Sequence, residues 1–392
     1  MKVGELEIIP VLGMEPSLRA MVARRIAAER DAELVPVHLG EGRSSDDVLR
    51  EVVDGLLVGG VRHAVLDMGE EALTTEVIGA FAQLPQAYVS AVVAVVDSND
   101  AIHDLTGEDY VVRMHDDGVG TFQVPRAVLL TSQLEYATTL ILRHSRWKRS
   151  QPVGAADFAL FARTLGPGAQ ILTWTDEERI PALRSADDIP RSTPGWLRVV
   201  NEAPNGSTTG YWRRGGIRVP GSRVRILHYR RERPFHPSRL LQCLEEGADW
   251  APLLRVAGFT RIASRPGVLS LWEQTGVTIS VDPYEADWWA DRQSAAEYGI
   301  VSGQGLATGS DVTQRYADLL EYMEYGVAER WRVGIGPLPD IGDAVLGQDI
   351  VAIGVDLDVD RLERELDACL LTDEEFLDGV WVWMMYEDAF PE

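Results

Sequence analysis

Along the first 175 residues the spacing of apolar positions switches repeatedly between a two-residue and a helical period. Strand-like runs cover 5–13, 34–39, 61–68, 87–97, 137–142 and 169–174, and helix-like runs cover 16–30, 45–58, 71–83, 122–136 and 154–165. In the first helical run Leu18, Met21, Val22 and Ile26 share one face, the spacing an amphipathic helix needs. The run AYVSAVVAVVD is almost continuously small or β-branched, as suits a strand covered on both faces. Strands alternating with helices in this way predict an α/β unit, a mostly parallel sheet with helices on both faces.

Beyond residue 175 the pattern breaks. IPRSTPGW, NEAPNGSTTG and GGIRVPGS are rich in Pro, Gly, Ser and Asn, the composition of loop and linker. We therefore divide the chain into an α/β domain at 1–178, a linker at 179–222 and a second domain at 223–392. The second domain opens with the strand RVRILHYRR and the Pro-started helix HPSRLLQCLEE. Extended segments follow at 252–264, 267–273 and 276–282, then a helix at 310–325, the strand DIVAIGVDL and the helix DVDRLERELDACLL. This is an α+β pattern, one antiparallel or mixed sheet with helices on one side. No internal repeat or low-complexity tract interrupts it.

Composition narrows the function classes. With 392 residues and 45% hydrophobic content the chain can fill two cores. No apolar run reaches the ~18 residues of a membrane span, and the N-terminus lacks the pattern of a secretory signal, so a cytoplasmic protein is expected. Cys243 and Cys369 are the only cysteines; both fall in helix-like apolar patterns and read as buried free thiols rather than a disulfide.

The net charge of −24 is uneven: −9 over residues 1–150, +5 over 151–235 and −20 over 236–392. Such a field repels free DNA. One basic feature stands out, the cluster Arg213, Arg214, Arg218, Arg223, Arg225, Arg230, Arg231 and Arg233. It reads as a solvated loop or as a dock for an acidic partner or RNA. Arginine outnumbers lysine 35 to 2 throughout, which points to codon usage rather than arginine-specific chemistry. Trp288 with Trp289, and Trp381 with Trp383, are core residues or, if exposed beside arginine, a protein-binding patch.

The second domain carries RRERPFHPSRLLQCL, RIASRPGVLSLWEQTG and DIVAIGVDLDVDRLERELDACLLTDEEF, with DAFPE closing the chain. In this order the motifs resemble the C-terminal domain of the CobW family of metal-homeostasis GTPases. Read from the residues alone, they look structural. His236 precedes Pro237 at a helix start and suits capping or packing better than metal binding. Thr372 reads as a helix N-cap, with Asp373, Glu374 and Glu375 at the positive end of the helix dipole.

The resemblance implies an N-terminal P-loop GTPase domain, with G-x-x-x-x-G-K-S/T after the first strand. That chemistry needs glycines for backbone wrapping, a lysine for phosphate charge and a hydroxyl for Mg²⁺. Here the turn is Gly13-Met14-Glu15-Pro16, and the chain's two lysines, Lys2 and Lys148, lie elsewhere. Glu15 would repel a phosphate, and Pro16 removes an N–H that could bind one.

The family's thiolate motif C-x-C-C is replaced by HLGEGRSSDDVL, which leaves only His38, Glu41 and Asp46 as conceivable ligands. The γ-phosphate-sensing stretch appears as LDMGEEAL, where Asp67 and Glu70 read as solvated strand-end acids. The guanine-reading N-K-x-D corresponds to Arg143-His144-Ser145-Arg146, without its Asp. VVAVVDSNDAIHDL still follows the family's strand pattern.

Together these departures imply a pseudo-GTPase with no catalytic residue, cofactor, metal or nucleotide. Degenerate relatives of this kind are linked to ribosome hibernation under zinc starvation. The expected function is a binding or regulatory role in that response, with a protein or ribonucleoprotein partner such as the ribosome and no membrane. The alternative is a zinc metallochaperone using non-thiolate ligands. No Ser/His/Asp, Cys/His or paired-carboxylate spacing points to another enzyme.

Overall fold

The first strand, β1 (Leu6–Leu12), buries every residue but Glu7, so the sheet it belongs to must be covered on both faces. The computed structural model describes residues 6–98, 100–143, 154–174, 179–185, 217–218, 221–231, 233–246, 253–265, 268–283 and 347–390. They divide into two units, one built mainly from the first 198 residues and the other from most of the chain beyond.

In the first unit β1 is followed by α1 (Pro16–Arg30), β2 (Glu33–Val37), α2 (Ser45–Val58), β3 (His63–Met68), α3 (Thr74–Ala82), β4 (Ala87–Val89) and β5 (Val93–Asp97). Then come α4 (Ala101–Thr106), β6 (Tyr110–Met114), β7 (Thr121–Pro125), α5 (Arg126–Tyr136), β8 (Thr139–Arg143), α6 (Ala155–Leu165) and β9 (Gln170–Thr173). The main sheet runs β2-β3-β1-β5-β8-β9, with β4 beside β1, and its pairs are parallel. Leu18, Val22 and Ile26 of α1 pack on Ile9 and Val11 from one face. Leu49 and Val53 of α2 with Val77 and Phe81 of α3 pack on Leu6, Ile8 and Leu12 from the other. The α/β expectation holds.

Three local readings change. The run 87–97 is two strands, because its register against β1 slips by one residue between Ile8↔Val89 and Val11↔Val93. The helix expected from 122 begins at Arg126. Pro125 disfavours helical geometry in Val124, and Thr121–Pro125 instead pairs antiparallel with β6. The short helix α4 is an addition that the apolar spacing does not predict.

The second unit contains β10 (Ile217–Arg218), β11 (Val224–Arg231), α7 (Pro237–Glu246), β12 (Leu253–Thr260), β13 (Ser270–Thr275), β14 (Thr278–Pro283) and β15 (Gln348–Val355). It ends with α8 (Val359–Cys369), α9 (Asp373–Leu377) and α10 (Val380–Trp383). Its sheet runs β10-β11-β15-β12-β13-β14, antiparallel at β10/β11 and β12/β15. β15 is buried along its whole length, as the continuous apolar run IVAIGV within it requires. Leu240 of α7 and Leu362 and Leu366 of α8 join Leu227, Tyr229, Trp272 and Ile350 in one core. The helix expected at 310–325 lies outside the described residues. Among the described residues no helix is long and apolar enough to cross a membrane.

Candidate functional site

β1 lies between β3 and β5: the chain builds outward to β3 and β2 on one side and to β5, β8 and β9 on the other. The carboxyl end of β1 is therefore the switch point of the sheet, where open α/β folds bind their ligands. The turn from Gly13 to Glu15 occupies it. A Cβ on Gly13 would meet the Val95 carbonyl oxygen at 2.7 Å, so packing against β5 already accounts for this glycine.

Glu15 is the N-cap of α1. Its Oε1 accepts from the Ser17 N–H at 3.1 Å and its Oε2 from the Leu18 N–H at 2.5 Å. A carboxylate of the chain itself thus takes the position an incoming phosphate oxygen would need, and its charge balances the positive end of the helix. Pro16 at the helix start offers no N–H. The sequence suggests that Glu15 repels an anion; the structure adds that it replaces one.

Two arginines close the turn from behind. Arg19, with 7% side-chain exposure, donates through Nη1 to the Gly13 carbonyl at 2.8 Å and through Nε to Asp67 Oδ1 at 2.7 Å. Asp67 lies on β3 with 15% exposure, so it is not the solvated strand-end acid that the sequence suggests. It is half of a largely buried ion pair. Counted from Gly13, the phosphate-loop pattern puts Leu18 at its second glycine, Arg19 at its lysine and Ala20 at its hydroxyl. The cation at the lysine position has turned inward to neutralise Asp67.

Arg126, at the start of α5, donates to Asp104 Oδ1 at 3.0 Å, to Glu70 Oε2 at 3.0 Å and to the Met14 carbonyl at 3.3 Å. Burial pushes the Asp104 carboxyl above its usual range, against the hydrogen bond and charge of Arg126. Burial also opposes the charge on Arg126, yet Asp104 and Glu70 hold its pKa above the ordinary value. Gln133 Nε2 donates to the Met14 sulfur at 3.4 Å, which fixes the remaining turn residue. Neither Arg19 nor Arg126 stands out in the sequence; counting from Gly13 could have found the first.

His38, Glu41 and Asp46 do not gather. His38 Nδ1 lies 3.5 Å from Glu71 Oε1 on an exposed side chain, Glu41 is exposed, and Asp46 is in the first turn of α2. Among the described residues no group of three or more His, Cys, Asp or Glu is placed to hold a metal ion. Arg143 ends β8, and 144–146 lie outside the described residues.

The arginine cluster divides. Arg213 and Arg214 lie outside the described residues, as do the side chain of Arg218 and both Trp288 and Trp289. Arg223 is exposed just before β11, and Arg225, Arg230 and Arg231 are residues of that strand rather than of a loop. Arg231 pairs with Asp367 at 2.6 Å and Glu363 at 2.8 Å and covers the Tyr229 ring. Arg230 Nε is 3.5 Å from Asp349, and Arg233 pairs with Asp373 while donating to the Leu371 carbonyl. These three are already engaged by carboxylates of their own unit.

The remaining motif residues are structural. The His236 N–H donates to the Cys369 carbonyl at 2.8 Å, and its ring lies against Tyr386 at 4.6 Å. Burial and the neighbouring Arg239 hold its pKa below the ordinary value, against the charge of Glu375. Thr372 and Glu375 form a reciprocal capping box on α9. Trp383 is buried, donates to the Glu375 carbonyl and packs on Phe376, whereas the Trp381 side chain is outside the described residues.

Glu375 also receives two hydrogen bonds from Arg239, at 2.8 and 2.6 Å, and these lower its carboxyl pKa to about 2 from 4.5. A carboxyl depressed on folding stabilises above its unfolded pKa and loses that contribution as pH falls toward the folded one. Glu375→Gln should therefore cost about 1.5–3 kcal/mol at neutral pH, the range for hydrogen bonds to a charged group. It should also flatten the loss of stability between pH 4.5 and about 2. Urea denaturation across that range checks this, and an unchanged acid slope would contradict it.

The first unit is thus an α/β fold whose ligand-binding turn is filled by its own side chains, and the second is an antiparallel sheet under two packed helices. Residues 224–370, most of which fall in the second unit, match the model of the cobalamin synthesis protein cobW C-terminal domain. Over 66% of its length the chain is 24% identical to zinc-regulated GTPase metalloprotein activator 1 of Dictyostelium discoideum, and the match spans about half of that relative, 47%. Superposition on the Zn(II)-bound YjiA GTPase of E. coli covers 94% of this chain and 99% of that one, at 13% identity and a TM-score of 0.32. A Zn(II)-bound triple mutant of YjiA gives 0.33 at the same identity and coverage. Superpositions this loose decide nothing about function.

Proposed function

We propose that this protein is a pseudo-GTPase, a cytoplasmic non-catalytic binding protein of the zinc-limitation response. It docks on a protein or ribonucleoprotein partner, the ribosome in its hibernating state being the one that the CobW resemblance implies. One observation carries this reading: the Glu15 carboxylate already holds the two N–H groups at the start of α1 that a phosphate would require. The zinc connection rests on the CobW C-terminal domain and on the D. discoideum relative, whose name describes a zinc-regulated GTPase. The absence of cysteine before Cys243 suits a protein made when zinc is scarce, because its first unit offers no thiolate to compete for the metal.

Affinity capture of the tagged full chain from zinc-limited and zinc-replete cells, followed by mass spectrometry, tests this function. Ribosomal proteins should be enriched under zinc limitation; the same partners in both conditions would contradict it.

With residues 236–392 at −20, phosphate contacts to such a partner fall to the arginine cluster, and the acidic part faces basic protein surface. Arg230, Arg231 and Arg233 are engaged by carboxylates of their own unit, and of the rest of the cluster Arg213, Arg214 and Arg218 are tested first. Reversing these three to Glu should weaken association and flatten its salt dependence, by about 0.7–0.9 in slope for each phosphate that is no longer neutralised. Binding equal to wild type at every salt concentration would remove the cluster from the interface.

A further inference from the structure

The chain has two cysteines, 126 positions apart in sequence, and the fold brings them to one place. Cys243 lies on α7, and Cys369 is the last residue of α8. Cys369 Sγ is 3.2 Å from the Glu365 carbonyl of its own helix and 3.5 Å from the Arg239 carbonyl of α7. Arg239 is one helical turn before Cys243, so the Cys369 sulfur is seated against the turn that carries the other thiol. Both side chains belong to the same apolar core, with Cys369 at 3% exposure and Cys243 half-buried at its edge.

The chemistry of the pair is uneven. A hydrogen bond from the Cys243 thiol lowers the Cys369 pKa, opposed by burial and helped by the Arg239 guanidinium. Sulfur reacts as the thiolate, and a pair with one half-buried and one charge-stabilised member has the parts for oxidation and resolution.

We propose that Cys243 and Cys369 are a redox pair that a hydroperoxide closes into an intramolecular disulfide, fastening α7 to α8. The thiolate of Cys243, the less buried of the two, attacks the terminal peroxide oxygen, and the O–O bond breaks as a Cys243 sulfenic acid forms. The leaving oxygen departs as water or alcohol with one thiol proton. Cys369 thiolate then attacks the Cys243 sulfur, the S–S bond forms, and hydroxide leaves with the second proton as water. Two thiols are oxidised and one hydroperoxide is reduced, with no other reactant. Neither cysteine is part of a disulfide in the form described here.

The test uses the intact, reduced protein. After exposure to hydrogen peroxide at neutral pH, free thiols are blocked and the protein is digested without reductant for mass spectrometry. The expected result is a linked peptide pair containing Cys243 and Cys369, a fall in titratable thiols from two to none, and recovery of both by dithiothreitol. The Cys243→Ser variant should keep its single buried thiol reduced under the same exposure. Both cysteines found blocked and unlinked, oxidised separately to sulfinic acid, or joined only between chains would each overturn the proposal. The wild-type peptide map decides the matter even if the variant folds poorly.

Discussion

Arg19→Met should destabilise the first unit by about 3–5 kcal/mol, the cost of removing one member of a buried ion pair and leaving the other charge uncompensated. Arg19 and Asp67 are both largely buried and 2.7 Å apart, and the same guanidinium satisfies the Gly13 carbonyl. Methionine preserves most of the side-chain volume, so the loss is electrostatic rather than a cavity. Pairing the change with Asp67→Leu removes the stranded charge and should recover most of the stability, leaving the Gly13 carbonyl as the residual cost. Urea denaturation of both variants and the wild type measures the coupling. If the double variant is as unstable as the single one, the pair is not what holds the turn.

Arg126→Met should have the next largest effect, about 2–3 kcal/mol, discounted because Arg126 and Glu70 are partly exposed. The guanidinium joins α4 through Asp104, the loop after β3 through Glu70 and the turn through Met14. Without it, Asp104 keeps its desolvation and loses its cation, so its carboxyl rises further above its usual range. Carbon-detected NMR titration should show that rise, and a midpoint unchanged from wild type would contradict it. Arg126→Lys should restore the charge but not the planar spread of donors that reaches Asp104, Glu70 and the Met14 carbonyl through separate nitrogens, and so only part of the stability.

Much of the fold is legible in the sequence because its signals are local. The helix α1 has the bounds its pattern predicts: Pro16 opens it, and Leu18, Val22 and Ile26 mark its buried face. The hairpin β6–β7 escapes such a reading because its alternation is inverted. Tyr110, Val112 and Met114 point outward, while Arg113 turns inward onto Glu76. A rule that places apolar residues inside reads such a segment as irregular. At the candidate site, the missing glycine and lysine are visible in GMEPSLRAM, but the pairing of Arg19 with Asp67 is not. Those residues are 48 positions apart, and only the parallel pairing of β1 with β3 brings them together. The two thiols show the same limit: each reads alone as a core residue, and only the packing of α7 on α8 makes them a pair.

The proposed function requires the switch point of the first unit to be closed to nucleotide by Glu15, Arg19 and Arg126. Isothermal titration of GTP with Mg²⁺ into the intact protein tests it most directly. No saturable binding is expected, because a phosphate must displace a carboxylate already bonded to the Ser17 and Leu18 N–H groups and would meet no lysine. A micromolar or tighter dissociation constant, weakened by reversing Arg19 to Glu, would contradict it.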